Sequence, residues 1–275
     1  MKFAAQFMQF MVLIPAAILC FLPMKDQLTS PPKKIIARIW LVLTILIPVS
    51  ALIFMAGNFP ANYVMLPDIA ILYLFYHRSL NTHWATSASV FLMVTALMSF
   101  PPNIALCIDC QIHPQETLLS PCLVATTVQF AISVVFVLLY FLIFKNHFSE
   151  LINSLNSAYV WSATLPVLLI FILLNIMMQP QKYETMHVNR VYRMYVAYLL
   201  LAFFLFNVIY LIFYLVAVIL LRNAKTEERV RLLKCRRANI SPSSDTLQNP
   251  PNNAMISVSN STVWLKWRKI KNTMR

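Results

Sequence analysis

Seven stretches of this chain are predominantly apolar: residues 3–22, 35–56, 63–76, 85–106, 127–144, 159–178 and 196–221. Crossing the hydrocarbon of a bilayer takes roughly 20 apolar residues at about 1.5 Å of helical rise each. Six of the runs reach about that length, and the third is short. Inside lipid, every backbone N–H and C=O must be satisfied within a helix or a closed barrel. The alternating pattern of barrel strands is absent. The sequence therefore predicts an all-α fold, a polytopic transmembrane helix bundle of about seven spans. For the first run a secretory signal peptide is the competing reading, since Lys2 precedes it. Its length, and the lack of a small-residue cleavage site after it, favour a span.

Composition supports this reading. Hydrophobic residues make up 60% of the chain and charged residues 11%, against about 25% charged in a soluble domain. The formal charge of +13 does not point to nucleic acid, because much of the basic surplus lies between the apolar runs and near their ends. Lys25, Lys33, Lys34 and Arg38 flank the first connection, Arg78 lies in the third and Lys145 in the fifth. The second and fourth connections hold no Lys or Arg, and the segment after Leu221 is strongly basic. Basic loops stay cytoplasmic, so the N-terminus is expected outside and the C-terminus in the cytoplasm. The sixth connection is the exception, with Lys182, Arg190 and Arg193 on the outer side. Gly57 is the only glycine, which weighs against a transporter built on broken helices.

Three regions follow: a transmembrane sensor bundle over 1–221, a cytoplasmic helical stub over 222–234, and a basic tail over 235–275. The stub is rich in helix formers, with Glu227, Glu228 and Arg229 beside Val230, Leu232 and Leu233. The tail sets Pro242, Pro250 and Pro251 among Ser and Asn. It holds too little apolar surface to offset the entropy of ordering, and disorder is expected. Its end, with Trp264 and Trp267 among Lys266, Arg268 and Lys269, has the composition of a segment that lies on an anionic membrane.

The chemistry-bearing residues are few. Cys107, Cys110 and Cys122 are expected in the outer fourth connection with Asp109 and His113. A C-x-x-C pair with a histidine suits a metal, outside the cell a disulfide fits at least as well, and unpaired thiols are the third reading. Asp68, following Pro67 in the third run, is either a functional intramembrane carboxylate or a helix N-cap. Asn175 and Asn207 are expected to bridge helices. The densest cluster, residues 179–193, carries Tyr183, Glu184, His187, Asn189 and Arg190. It reads as an interfacial anchor or as part of a signal-binding surface together with Asp68 and Asn175. No nucleophile–base–orienter set, phosphate-binding glycine loop or paired carboxylates are present. The expectation is a non-enzyme without cofactor or metal, contacting the lipid bilayer and no nucleic acid.

The run Tyr183-Glu184-Thr185-Met186-His187-Val188-Asn189-Arg190-Val191-Tyr192-Arg193, then a long span, then Glu227-Glu228-Arg229-Val230-Arg231-Leu232-Leu233, resembles one known arrangement. It is similar to the membrane sensor region of bacterial sensor histidine kinases with a GHKL-type ATPase domain, relatives of quorum-sensing receptor kinases. The likeness covers roughly residues 175–234; upstream only the general layout of several spans is shared. It implies a homodimer through the last helix, an extracellular or membrane-borne ligand of unknown identity, and a response-regulator partner wherever a kinase domain is present.

After Lys234 the chain departs from that pattern. Read one base earlier, with permitted codons, the tail can encode an amphipathic helix. Further on, residues 253–259 can encode Arg-His-Asp-Phe-Arg-Gln, which matches the family's phosphoacceptor box. Residues 235–275 are therefore expected to be an out-of-frame tail on a sensor that lacks its kinase part. A seven-span receptor or a small transporter with a short basic cytoplasmic tail is the alternative.

Overall fold

The computed structural model describes residues 2–57, 61–112, 122–143, 158–179 and 190–240, together with Ile152 and Met186. Among them the chain is all-helical, with no strand beyond an isolated bridge between Leu28 and Leu80. The helices are α1 (Lys2–Phe10), α2 (Leu13–Phe21), α3 (Pro32–Gly57), α4 (Ala61–Arg78) and α5 (Trp84–Met98), then α6 (Phe100–Ile112), α7 (Leu123–Ile143), α8 (Ala158–Met177) and α9 (Val191–Ile240). Met1–Leu221 forms one compact unit and Arg222–Arg275 another.

Proline explains where the first and fourth runs break. Pro15 cannot donate its i→i−4 hydrogen bond, and the backbone loosens at Met11–Val12, between α1 and α2. Pro101 and Pro102 do the same at Ser99, between α5 and α6. Each pair stays in line as one apolar stretch. Six stretches are long and apolar enough to cross a membrane: Phe3–Phe21, Pro32–Gly57, Trp84–Ile112, Leu123–Leu142, Ala158–Met177 and Val191–Arg236. The α4 helix is not among them. At 18 residues it has the length, but Asn62, Pro67, Asp68, His77 and Arg78 dilute its hydropathy.

Two departures from the sequence reading concern ends. The fourth apolar run continues as helix to Ile112, so Cys107 and Cys110 belong to α6 and not to a loop. Downstream, helix persists to Ile240, past the point where disorder was expected. Residues 235–240 contain neither Gly nor Pro and include Arg and Ala, both good helix formers. The first proline beyond, Pro242, disfavours helical backbone at Ser241. Residues 241–275 lie outside the described residues, as does the aromatic and basic cluster at 264–269.

The central seam is α5 with α6 against α8. Ser89, Ala96 and Asn103 recur every seven residues on one side, and Trp161, Leu168 and Asn175 on the other. Small residues let helix backbones approach closely in lipid, where packing and hydrogen bonds drive association. The Ser89 hydroxyl donates to Trp161 O at 2.7 Å. Thr164 Oγ1 lies 2.7 Å from the same carbonyl and 3.0 Å from Ser89 Oγ. At the other end of the seam, Asn103 meets Asn175. The two helices therefore run in the same direction. The α9 helix runs opposite to them, with Tyr195 near Asn103, Phe203 and Phe206 around Phe100, and Phe213 against Trp161.

A second cluster joins α1 and α2 to α3 and α4 through Phe10, Leu13, Leu43, Ile47, Phe54 and Val64. One end is closed by backbone contacts between the first and third connections. Thr29 N donates to Ser79 O at 3.0 Å and Asn81 N to Gln27 O at 2.8 Å. The Thr29 hydroxyl adds a bond to Ser79 O at 3.0 Å. These two connections, both expected on the cytoplasmic side, do lie together.

Candidate ligand-binding site

A partly open cavity of about 160 Å³ lies in the first unit, lined by α1–α6 and α8. Its walls are mostly apolar: Val12, Leu13 and Ala16 from α1–α2, Met65, Ile69 and Leu72 from α4, and Phe91, Val94 and Met98 from α5. Its floor is Cys20, Phe21 and Tyr76. Phe21 and Tyr76 meet edge-on with ring centroids 4.9 Å apart. The Tyr76 hydroxyl donates to Cys20 O at 3.2 Å, so the floor is polar in composition yet already satisfied.

The opposite end carries most of the amides and hydroxyls: Gln9, Ser99, Asn103, Asn175 and Gln179. Asn103 Nδ2 donates to Asn175 Oδ1 at 3.1 Å and to Ser99 O at 3.0 Å. Asn175 Nδ2 donates to Ser99 Oγ, whose own proton goes to Ala96 O at 2.7 Å. Tyr195, from α9, donates to Asn103 Oδ1 at 3.0 Å. Asn103 and Asn175 are almost fully buried, and buried polar groups persist where they are hydrogen-bonded to one another. Gln9 differs. Its side-chain Oε1 is buried with no hydrogen-bond partner, while its main-chain oxygen accepts from Gln129 Nε2 at 3.2 Å.

The expected site residues divide three ways. Asn175 stands in this polar roof and bridges helices. Asp68 is buried, but in the second turn of α4 and not at its start, because the helix begins at Ala61. It is therefore no N-cap. It hydrogen-bonds Ser50 of α3, and Oδ2 has no partner. Arg190 is exposed immediately before α9, with φ of 68°, a left-handed value uncommon for a residue with a Cβ. Its carbonyl accepts from Met194 N at 3.1 Å. Tyr183, Glu184, His187 and Asn189 lie outside the described residues. Among the described residues, Asn207 bonds no other helix. It is exposed on α9 and donates to Phe203 O of its own helix at 2.7 Å.

The cysteines form no disulfide: all five are thiols. Cys107 and Cys110 sit on one face of α6 and pack with Met186, Tyr195 and Leu199 as small apolar residues. Cys122 lies just before α7, where both Asp109 carboxylate oxygens accept from its backbone N at 3.3 Å. Asp109 thereby caps the α7 N-terminus. Among the described residues no three His, Cys, Asp or Glu side chains are placed to hold a metal ion, and His113 lies outside them.

The site residues that the sequence did not reveal are Gln9, Ser99, Asn103 and Tyr195. The seven-residue interval joining Ser89, Ala96 and Asn103 was the available signal for Asn103. Comparison with known protein families, with curated proteins and with solved structures finds no match.

Proposed function

We propose that this chain is the membrane-embedded sensing part of a two-component sensor histidine kinase in the plasma membrane, N-terminus outside and C-terminus in the cytoplasm. Residues 1–275 contain neither a phosphoacceptor box nor an ATPase motif. Signal reception and self-association are therefore the activities proposed for them, with a response regulator as partner only of a form carrying the kinase. The reading rests on the resemblance over residues 175–234. The observation that carries it furthest is the Tyr195–Asn103 hydrogen bond. It joins the polar roof of the cavity to the first turns of the last helix. A molecule seated against that roof packs beside Asn103 and Asn175, and so biases the position of α9 through the Tyr195 bond. A ligand shifts a conformational equilibrium only by such differential contacts.

The test is cross-linking of the full chain in membranes beside a form cut after Leu221. Loss of dimers on truncation fits a signalling helix that pairs two copies. Unchanged dimers sink it. A small transporter is the second reading, favoured by the buried Asp68 carboxylate in α4, since intramembrane carboxylates mark ion and proton paths. A protein that stays monomeric and moves protons into vesicles fits that reading instead.

A further inference from the structure

We infer that the bundle cavity binds one small, neutral amphiphile: an apolar body of roughly six to eight heavy atoms carrying a single hydrogen-bond donor, such as an alcohol or a secondary amide. The size follows from the volume. The cavity measures about 160 Å³, and cavities of about 150 Å³ lined by apolar side chains take benzene. A diacyl lipid does not fit that space. Neutrality follows from the lining, which contains no Asp, Glu, Lys, Arg or His. A carboxylate or ammonium placed there leaves water without a counter-charge, which costs far more than the apolar body recovers.

Orientation follows from the two ends. The Tyr76 hydroxyl at the floor is already spent on Cys20 O, so the floor offers a ligand only apolar contact. The roof is polar, and its Asn103–Asn175–Ser99 set is internally bonded. What it lacks is a donor for Gln9 Oε1, which is buried without a partner. An unpaired buried acceptor is costly, and a ligand hydroxyl or amide N–H directed at Gln9 removes that cost. The tail then lies between Val94, Ala16 and Leu72, towards Tyr76. The proposal takes its biological meaning from the sensing reading, but occupancy is measured without reference to dimerisation, so either can fail alone.

The test uses the full chain in phosphatidylcholine nanodiscs and a photoreactive octanol carrying a diazirine, with adducts mapped by mass spectrometry. Saturable adducts are expected on Tyr76 and Met98. Unlabelled octanol should displace them at least tenfold more effectively than octanoate, and better than octane. Gln9→Leu should weaken the octanol competition roughly two- to tenfold, the worth of one hydrogen bond, and leave octane unchanged. Ala16→Phe, which fills the cavity, should abolish the saturable adducts. Adducts that rise linearly and fall only on lipid-facing residues such as Leu138 and Leu200 would overturn the proposal. So would equal competition by octanoate, or a Gln9→Leu variant that competes like the parent; these two comparisons stand even where Ala16→Phe does not fold.

Discussion

The Tyr195 hydroxyl and the Asn103 side-chain oxygen lie 3.0 Å apart, and both residues are buried. This contact joins α9 to the α5–α6 stretch through a side-chain hydrogen bond. Tyr195→Phe keeps the ring and deletes the bond. Interhelical hydrogen bonds in membranes contribute about 0.6 kcal/mol on average and up to about 1.7. A loss of about 1 kcal/mol in unfolding stability is therefore expected, measured by denaturation of the purified chain in micelles. On the sensing reading, Tyr195→Phe also uncouples cavity occupancy from any change in cross-linking along α9. If occupancy still alters cross-linking in the variant, the coupling runs through another contact.

Asn207 is an amide on the exposed face of α9, among Leu200, Phe204 and Leu211. One of its N–H groups goes to Phe203 O. An amide facing lipid gains from a partner on another helix, and a second copy of α9 supplies the same group. Asn207→Leu should weaken dimerisation roughly threefold to tenfold, in line with about 0.6–1.4 kcal/mol per interhelical bond, in a fluorescence-transfer titration against detergent. Asn207→Cys should form oxidative dimers more readily than a cysteine at Tyr195. Equal dimer affinity in Asn207→Leu removes this residue from the interface.

Asp68 spends part of its carboxylate on Ser50 and leaves Oδ2 without a partner. Replacing both partners of such a hydrogen bond with apolar groups of the same shape can be nearly neutral or stabilising. The double change Asp68→Leu with Ser50→Ala should therefore leave thermal stability unchanged or raise it, while Asp68→Leu alone strands the Ser50 hydroxyl and costs about 1 kcal/mol. A large loss in the double variant would mean that the carboxylate holds α3 and α4 together.

Thiol alkylation should separate the cysteines by position. Cys235 is exposed and should react first, whereas Cys20, Cys107 and Cys110 are buried and should react only on unfolding. Burial, followed by the Asp109 carboxylate beside it, pushes the Cys122 thiol above its ordinary value. Less of it is thiolate at neutral pH, and thiolate is the nucleophile. Its maleimide reaction should be slow at neutral pH and accelerate as the pH rises. Asp109→Asn should speed it at neutral pH. An unchanged rate in Asp109→Asn would contradict the placement of Cys122 against Asp109.

The frame of the tail is settled by DNA. Resequencing the gene from the last span onward should show, one base earlier from Lys234, an open frame through a His-Asp-Phe-Arg box. Closure of that frame soon after Lys234 makes the basic Trp-rich end authentic protein.

Run length and charge made the helical class and the broad span pattern legible, because the bilayer demands length and backbone closure before anything else. The third run was legible as weak from its length alone, and α4 stays below its neighbours' hydropathy because Pro67, Asp68, His77 and Arg78 lie within it. The polar roof was not legible. Asn103 lies within the fourth apolar run, but nothing in the run itself shows that its side chain meets Asn175 and Tyr195 of two other helices. Gln9 and Tyr195 were equally hidden, since their significance depends on which helices are neighbours in space, and apolar periodicity is silent on that. Asp68 and Cys107 were found by residue type but given the wrong setting, because helix ends are fixed by local backbone chemistry that run length does not report.

The paired backbone bonds between residues 27–29 and 79–81 make a clasp at one end of the α1–α4 group. Because these are main-chain bonds, they outlast a change of side chain at all four positions, except to proline at the two donors, Thr29 and Asn81, which would delete the N–H itself.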